Sequence, residues 1–162
     1  MIQIRRATVD DAPAIAAIYA DEVEHGTATF DTEPPPAATW EHKVTDASAG
    51  HHFLVAVDDA EVLGFAYSTT YRPRGAYAGT RETTIYLGDA ATGRGTGRRL
   101  YDQLLAALRT DGIHTALAVV AVPNPASRAL HRAMGFTHVG TLKEVGHKFG
   151  RWLDVEFWQL ML

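Results

Sequence analysis

Apolar and polar positions along this chain repeat with two different periods, and each change of period marks an element. Ile2-Gln3-Ile4-Arg5-Arg6 alternates every second residue, as a short strand does. Thr8-Val9-Asp10-Asp11 then supplies a cap and early acids for a helix with Ile15, Ile18 and Tyr19 on one face. Residues 26–36 break both periods, because Pro34, Pro35 and Pro36 exclude regular helix and central strand. A helix is predicted over residues 40–48, followed by a hairpin of residues 52–57 and 61–69 turning at Asp58-Asp59. Residues 71–79, with Pro73 and two glycines, read as a loop. A strand is predicted at 83–87 and a helix at 97–110, with Leu100, Leu104, Leu105 and Leu108 at helical spacing. Residues 115–122 are almost continuously apolar, as expected of a strand covered on both faces. A short helix over 124–134 is stopped by Gly135, and strands at 136–142 and 155–160 close the chain. The pattern is that of an α/β domain with a mixed central sheet.

Between the strand at 83–87 and the helix at 97–110 lies Thr92-Gly93-Arg94-Gly95-Thr96-Gly97-Arg98-Arg99. A glycine-rich turn entering a helix leaves backbone N–H groups without partners at the positive end of the helix dipole. A phosphate or pyrophosphate can sit there, with Gly95 and Gly97 permitting close approach and Arg94, Arg98 and Arg99 adding charge. Read alone, the turn is equally a tight connection with no ligand. A P-loop would need Lys followed by Ser or Thr after the last glycine, where Arg98 and Arg99 stand. A dinucleotide fingerprint needs G-x-G-x-x-G, and the chain has G-x-G-x-G. Coenzyme A is the common pyrophosphate cofactor that these exclusions leave.

The remaining composition narrows the classes. At 162 residues the chain is the size of one domain. No apolar run approaches the roughly 20 residues of a membrane span, and the N-terminus enters a strand pattern directly, with no signal-peptide pattern. There is no cysteine, so neither a disulfide framework nor a thiol nucleophile is available. A net charge of −4 with clustered arginines argues against nucleic acid as a main partner. Cytoplasmic location is the expectation. The eight histidines, His51-His52 among them, lack metal-ligand spacing, so no metal is expected. Ser127 and His131 lie four apart on a helix without an acid orienter or nucleophile elbow, which disfavours hydrolase chemistry.

The order strand, G-x-G-x-G turn, helix, apolar strand, then Asn124-x-x-Ser127-x-x-x-His131-x-x-x-Gly135-Phe136, resembles the GCN5-related N-acetyltransferases (GNAT). Further segments resemble that superfamily's phosphinothricin and methionine sulfoximine acetyltransferase branch. They are Thr27-Ala28-Thr29-Phe30-Asp31-Thr32-Glu33-Pro34, Tyr71-Arg72-Pro73, Glu82-Thr83-Thr84-Ile85-Tyr86-Leu87 and Lys148-Phe149-Gly150-Arg151-Trp152-Leu153-Asp154-Val155. The resemblance covers almost the whole chain and implies one N-acetyltransferase domain, with a mixed sheet flanked by helices and a pyrophosphate-binding strand–turn–helix.

What it implies chemically is acetyl transfer from acetyl-CoA to the α-amine of a small amino acid, with detoxification as the outcome. By resemblance, Gly93, Arg94, Gly95, Thr96, Gly97 and Arg98 hold the pyrophosphate. Ile85, Tyr86 and Leu87 flank the acetyl-pantetheine arm at a splayed strand, where a free backbone N–H, that of Leu87, polarises the thioester carbonyl. Asn124 and Ser127 contact the same arm. Glu82 is the expected base for the ammonium, and His131 the expected donor to the leaving thiolate, where many relatives carry tyrosine. The acceptor is expected against Phe30, Arg72, Pro73, Arg74, Tyr77, Glu82, Thr83 and Thr84, with Arg72 on its carboxylate, while Lys148 and Trp152 border the pocket, from this chain or a neighbouring subunit. Thr92 departs from the Gln or Arg usual in the family, which removes one side-chain contact. A homodimer is implied, for which the apolar C-terminal strand is suited. The alternatives are another small amine, a polyamine or a protein N-terminus as acceptor, or an acetyl-CoA-binding module without catalysis.

Overall fold

The computed structural model describes residues 1–162. Its strands are β1 (Gln3–Arg6), β2 (Phe53–Asp58), β3 (Glu61–Thr70), β4 (Thr80–Leu87), β5 (Thr115–Val122), β6 (Thr137–Lys148) and β7 (Arg151–Met161), and its helices α1 (Ala12–His25), α2 (Ala37–Thr45), α3 (Thr96–Thr110) and α4 (Pro125–Ala133). All seven strands form one sheet in the order β1-β2-β3-β4-β5-β7-β6. Every neighbouring pair is antiparallel except β4 and β5, which α3 connects in parallel.

The sheet divides two apolar layers. On one face Leu100, Leu104, Leu105 and Leu108 of α3 pack with Ala116, Ala118 and Val120 of β5, Phe136 and Trp158. On the other, Ile15, Tyr19 and Val23 of α1 and Trp40 and Val44 of α2 pack against Phe53, Val55, Phe65 and Tyr67. The apolar positions 3 and 4 apart in α3 are therefore buried as its periodicity predicts.

Four sequence expectations change. Helix α2 starts three residues earlier than predicted, directly after the prolines, because Pro36 (φ −66°) provides its N-cap. It ends at Thr45, where the Asp46 carboxylate instead accepts the Ser48 N–H at 2.9 Å in a local turn. Strands β6 and β7 are much longer than predicted and join in a tight hairpin through Phe149 and Gly150, both at positive φ. Two register shifts in β6, at 138/140 and 142/146, disrupt the alternation that would have revealed it. The C-terminal strand is not an edge: β7 lies between β5 and β6 with Val155 and Trp158 buried, while the exposed apolar side chains Val139, Leu142 and Val145 stand on β6. Strand β5 is covered on both faces except around Val119, which is 40% exposed and opens into a cavity while Thr115 and Ala121 on the same face are buried.

That cavity exists because β4 and β5 part. Their register runs only from Thr80↔Thr115 to Glu82↔Leu117, although β4 continues to Leu87 and β5 to Val122. Beyond Glu82, β4 is held from one side, by β3. There Gly64 of β3 leaves no room for a side chain: a Cβ would lie 2.6 Å from Leu87 Cδ2 and 2.8 Å from the Tyr86 carbonyl oxygen. Gly64→Ala is expected to cost about 1–3 kcal/mol through this overpacking. Because it displaces Tyr86 and Leu87, it should also weaken acetyl-CoA binding, checked by urea unfolding and titration calorimetry. Unchanged affinity in a destabilised variant would show that the outer end of β4 does not bear on the ligand.

Candidate active site

The parted strands line a cavity of about 1060 Å³ that runs from the glycine turn to the region between α1 and β4. At one end, Gly93 and Gly95 take positive φ (71° each), which bends the backbone so that successive N–H groups converge. The N–H groups of Gly93, Gly95, Thr96, Gly97 and Arg98 have no acceptor within the protein. A Cβ at Gly93 or Gly95 would meet nothing within 4 Å, so the cradle is open. Five unpaired N–H groups at the start of a 15-residue helix fit a pyrophosphate. The Arg98 side chain lines this end, whereas that of Arg94 turns away to Asp58 at 2.5 Å. Thr92 is exposed, and its short side chain stands at the rim.

Midway, the edge of β4 is bare. Gly88 N–H donates to Leu63 O at 2.9 Å, so hydrogen-bonded pairs with β3 recur at Tyr86, Thr84 and Glu82. The backbone groups of Ile85 and Leu87 therefore point the opposite way, into the gap left by β5. The side chains of Ile85 and Leu87 approach Gly97 at the start of α3, with Cδ1 atoms 3.7 and 3.2 Å from where its Cβ would be. Thus the polar backbone of this edge faces the cavity, which Ile85 and Leu87 also line beside their packing on Gly97.

Glu82 stands where the two strands separate and lines the cavity with Thr83 and Thr84. It is half-buried with no hydrogen-bond partner, and burial raises its pKa above the ordinary carboxylate value. A carboxylate in that state is a stronger base than a solvated one.

His131 is buried in the cavity wall, 3% exposed, and not on the surface of α4. Its Nδ1 is 2.7 Å from the Ser127 carbonyl, which can only accept, so Nδ1 carries the proton. Nε2 then accepts from the Tyr101 hydroxyl at 2.9 Å, and Tyr101 is in turn 3.2 Å from Thr83 Oγ1. Ser127 Oγ lies 3.2 Å from Nδ1. Burial lowers the His131 pKa, keeping the ring neutral. Asn124 lines the cavity while its side chain caps α4 by accepting from Ser127 N–H at 3.0 Å.

At the far end, Phe30 and Thr84 line the cavity, but the loop of Arg72, Pro73, Arg74 and Tyr77 does not. The Arg72 guanidinium rests over the rings of Tyr71 and Tyr77, 5.1 and 5.9 Å from their centroids. Sequence reasoning did not find the α1 wall of Ala17, Ile18, Asp21 and Glu22. The signal was there: Asp21 and Glu22 follow Ile18 by three and four residues, at the edge of the helix's apolar stripe.

An acetyltransferase (GNAT) domain matches residues 4–157 of the chain. The chain belongs to the GNAT acetyltransferase family. It is 40% identical to the phosphinothricin N-acetyltransferase of Streptomyces coelicolor, over 98% of this chain and 95% of that protein. It is 42% identical to the L-methionine sulfoximine/L-methionine sulfone acetyltransferase of Pseudomonas aeruginosa, over 98% of this chain and 94% of that one. The fold superposes on the phosphinothricin acetyltransferase of Sinorhizobium meliloti, solved with AcCoA, with a TM-score of 0.94 and 37% identity over 99% of this chain and 88% of that one.

Because folded His131 resists protonation, the unfolded chain takes up a proton first as pH falls through about 6.5, and the folded state loses stability. His131→Gln should remove this contribution, so its unfolding free energy should fall less between pH 7 and 5 than that of the wild type. Parallel urea-unfolding curves at the two pH values would contradict the neutral, buried assignment.

Proposed function

We propose that this acetyltransferase moves the acetyl group of acetyl-CoA to the α-amine of a small amino acid of the phosphinothricin or methionine sulfoximine/sulfone type. The observation that carries the reading is the single cavity in which an N–H cradle, a bare strand edge and a desolvated carboxylate follow one another. The Gly93–Arg98 cradle would hold the pyrophosphate, with Asn124 and Ser127 along the pantetheine arm. Acetyl-CoA supplies an activated thioester. The Leu87 N–H, fixed toward the gap, stabilises negative charge developing on the thioester oxygen at no reorganisation cost.

Glu82 removes the proton from the ammonium, directly or through one water. The raised pKa of its carboxyl brings it nearer the operating pH, and a positioned general base typically contributes about 10²–10⁴-fold. With both ring nitrogens engaged, His131 serves the leaving thiolate through its partners: Tyr101 and Ser127 also line the cavity. Arg72 is assigned to the acceptor's carboxylate, for which it must swing off the Tyr71 and Tyr77 faces. Acetylation removes the ammonium charge by which such compounds mimic amino acids, so detoxification follows. The exposed apolar residues of β6 suit a homodimer contact.

A second reading has its own support. Asp21, Glu22, Glu82 and Asp89 line the cavity with Arg98 as its one Lys or Arg side chain, which favours a cationic acceptor such as a polyamine.

Acetyl-CoA-dependent thiol release against phosphinothricin, methionine sulfoximine, methionine sulfone, spermidine and a short peptide separates the two. Turnover confined to the amino-acid analogues is expected, and turnover with spermidine alone would establish the second reading. Binding of acetyl-CoA with no release on any amine would point to a non-catalytic module. Glu82→Gln should lower kcat by about 10²-fold or more with little change in KM for acetyl-CoA, and should abolish the acidic limb of the wild-type pH profile. Full turnover across the pH range would remove Glu82 from the mechanism. Arg72→Ala should raise the amino-acid KM about tenfold or more and spare that for acetyl-CoA, and the reverse pattern would refute the assignment.

A further inference from the structure

The segment between α1 and the prolines has no ladder partner, and side chains of the adjacent α1 and of the distant β6 hold it. Glu22 Oε1 accepts the Ala28 N–H at 2.8 Å. Tyr19 Oη donates to Asp31 Oδ2 at 2.6 Å and lies 2.6 Å from Thr29 Oγ1. The most costly of these contacts comes from β6. Lys148, only 6% exposed, directs its ammonium at three backbone carbonyls: Gly26 at 2.8 Å, Thr29 at 3.0 Å and Glu22 at 3.5 Å. No carboxylate lies within ion-pair distance of it. A buried ammonium without a salt-bridge partner is held only where its hydrogen bonds are fully used.

Two residues earlier on the same strand, buried Gly146 lies under the Phe30 ring. A Cβ there would fall inside the van der Waals shell of Phe30 Cε2 and Cζ. Gly146 has no positive φ, so a side chain is excluded by the ring and not by the backbone. Phe30 in turn forms a wall of the cavity.

We propose that Gly146 and Lys148 are positioning residues that set acceptor selectivity, Gly146 by seating the Phe30 ring and Lys148 by clamping the carbonyls of the loop that carries it. This rests on the reading above that the Phe30 end of the cavity receives the acceptor. Neither residue touches the reacting atoms. The β6–β7 hairpin thereby fixes the shape of a wall built by the opposite end of the chain. In Gly146→Ala the ring is the movable partner, so the fold tolerates the change while the wall shifts. In Lys148→Met the clamp is lost, and Lys148→Gln retains neutral donors for two carbonyls.

The test combines a measurement on the loop with one on selectivity. Amide hydrogen exchange of residues 27–31 in the substrate-free protein should quicken about tenfold in Lys148→Met, partly recover in Lys148→Gln and leave α3 unchanged. In Gly146→Ala the ratio of kcat/KM between methionine sulfone and phosphinothricin should move about fivefold or more, with acetyl-CoA affinity held within about twofold. Unchanged exchange in Lys148→Met, or an unchanged ratio in folded Gly146→Ala, would overturn the proposal. So would a parallel loss of acetyl-CoA affinity. If the wild type acetylates neither compound, the reading of the acceptor fails, and the exchange data decide separately whether the hairpin holds the loop.

Discussion

The cavity of this molecule depends on two strands that stop pairing. The parallel ladder between β4 and β5 ends at Glu82 and Leu117, and each strand runs on for five residues without the other. An unpaired strand edge inside a sheet carries a desolvation cost for every N–H and C=O it leaves bare. The chain accepts that cost because β3 holds β4 from one side and β7 holds β5 from the other. The gap is thus rigid, and its bare groups are fixed in direction before any ligand arrives, which is the condition for electrostatic stabilisation of a developing charge.

The two ends of the gap use different physics. The glycine turn collects partial positive charge from backbone N–H groups, and its local arginines add to it to unequal degrees, since Arg94 is turned to Asp58. The other end withholds solvent from Glu82 and so raises its proton affinity. Between them the neutral Thr83–Tyr101–His131–Ser127 chain ties β4, α3 and α4 together along the cavity wall. A charged imidazolium there would have no counter-ion, which is why the network is built from hydroxyls and a carbonyl.

Local signals in the sequence were enough for the glycine-turn end of the cavity. The G-x-G-x-G turn and the apolar spacing of α3 each act within a few residues, and the structure has them where the pattern placed them, whereas the Asn124 side chain is engaged in capping α4. The Phe30 end was less legible, because its shape comes from contacts across more than a hundred residues. Nothing near Phe30 announces that Gly146 must lack a side chain, and nothing near Lys148 announces that its partners are the carbonyls of Gly26 and Thr29. The two bulges of β6 hid the hairpin that makes those contacts. The burial of His131 was likewise invisible, since the residues around it come from α3, β7 and the segment after α4.

The central claim is that the gap between β4 and β5, with the Leu87 N–H facing into it, receives the thioester. A crystal structure with bound acetyl-CoA tests it most directly. The account predicts the pyrophosphate on the Gly93–Arg98 amides and the thioester oxygen within hydrogen-bond distance of Leu87 N, with Glu82 on the acetyl side. A ligand bound to the glycine turn whose acetyl arm lies outside the gap would contradict it.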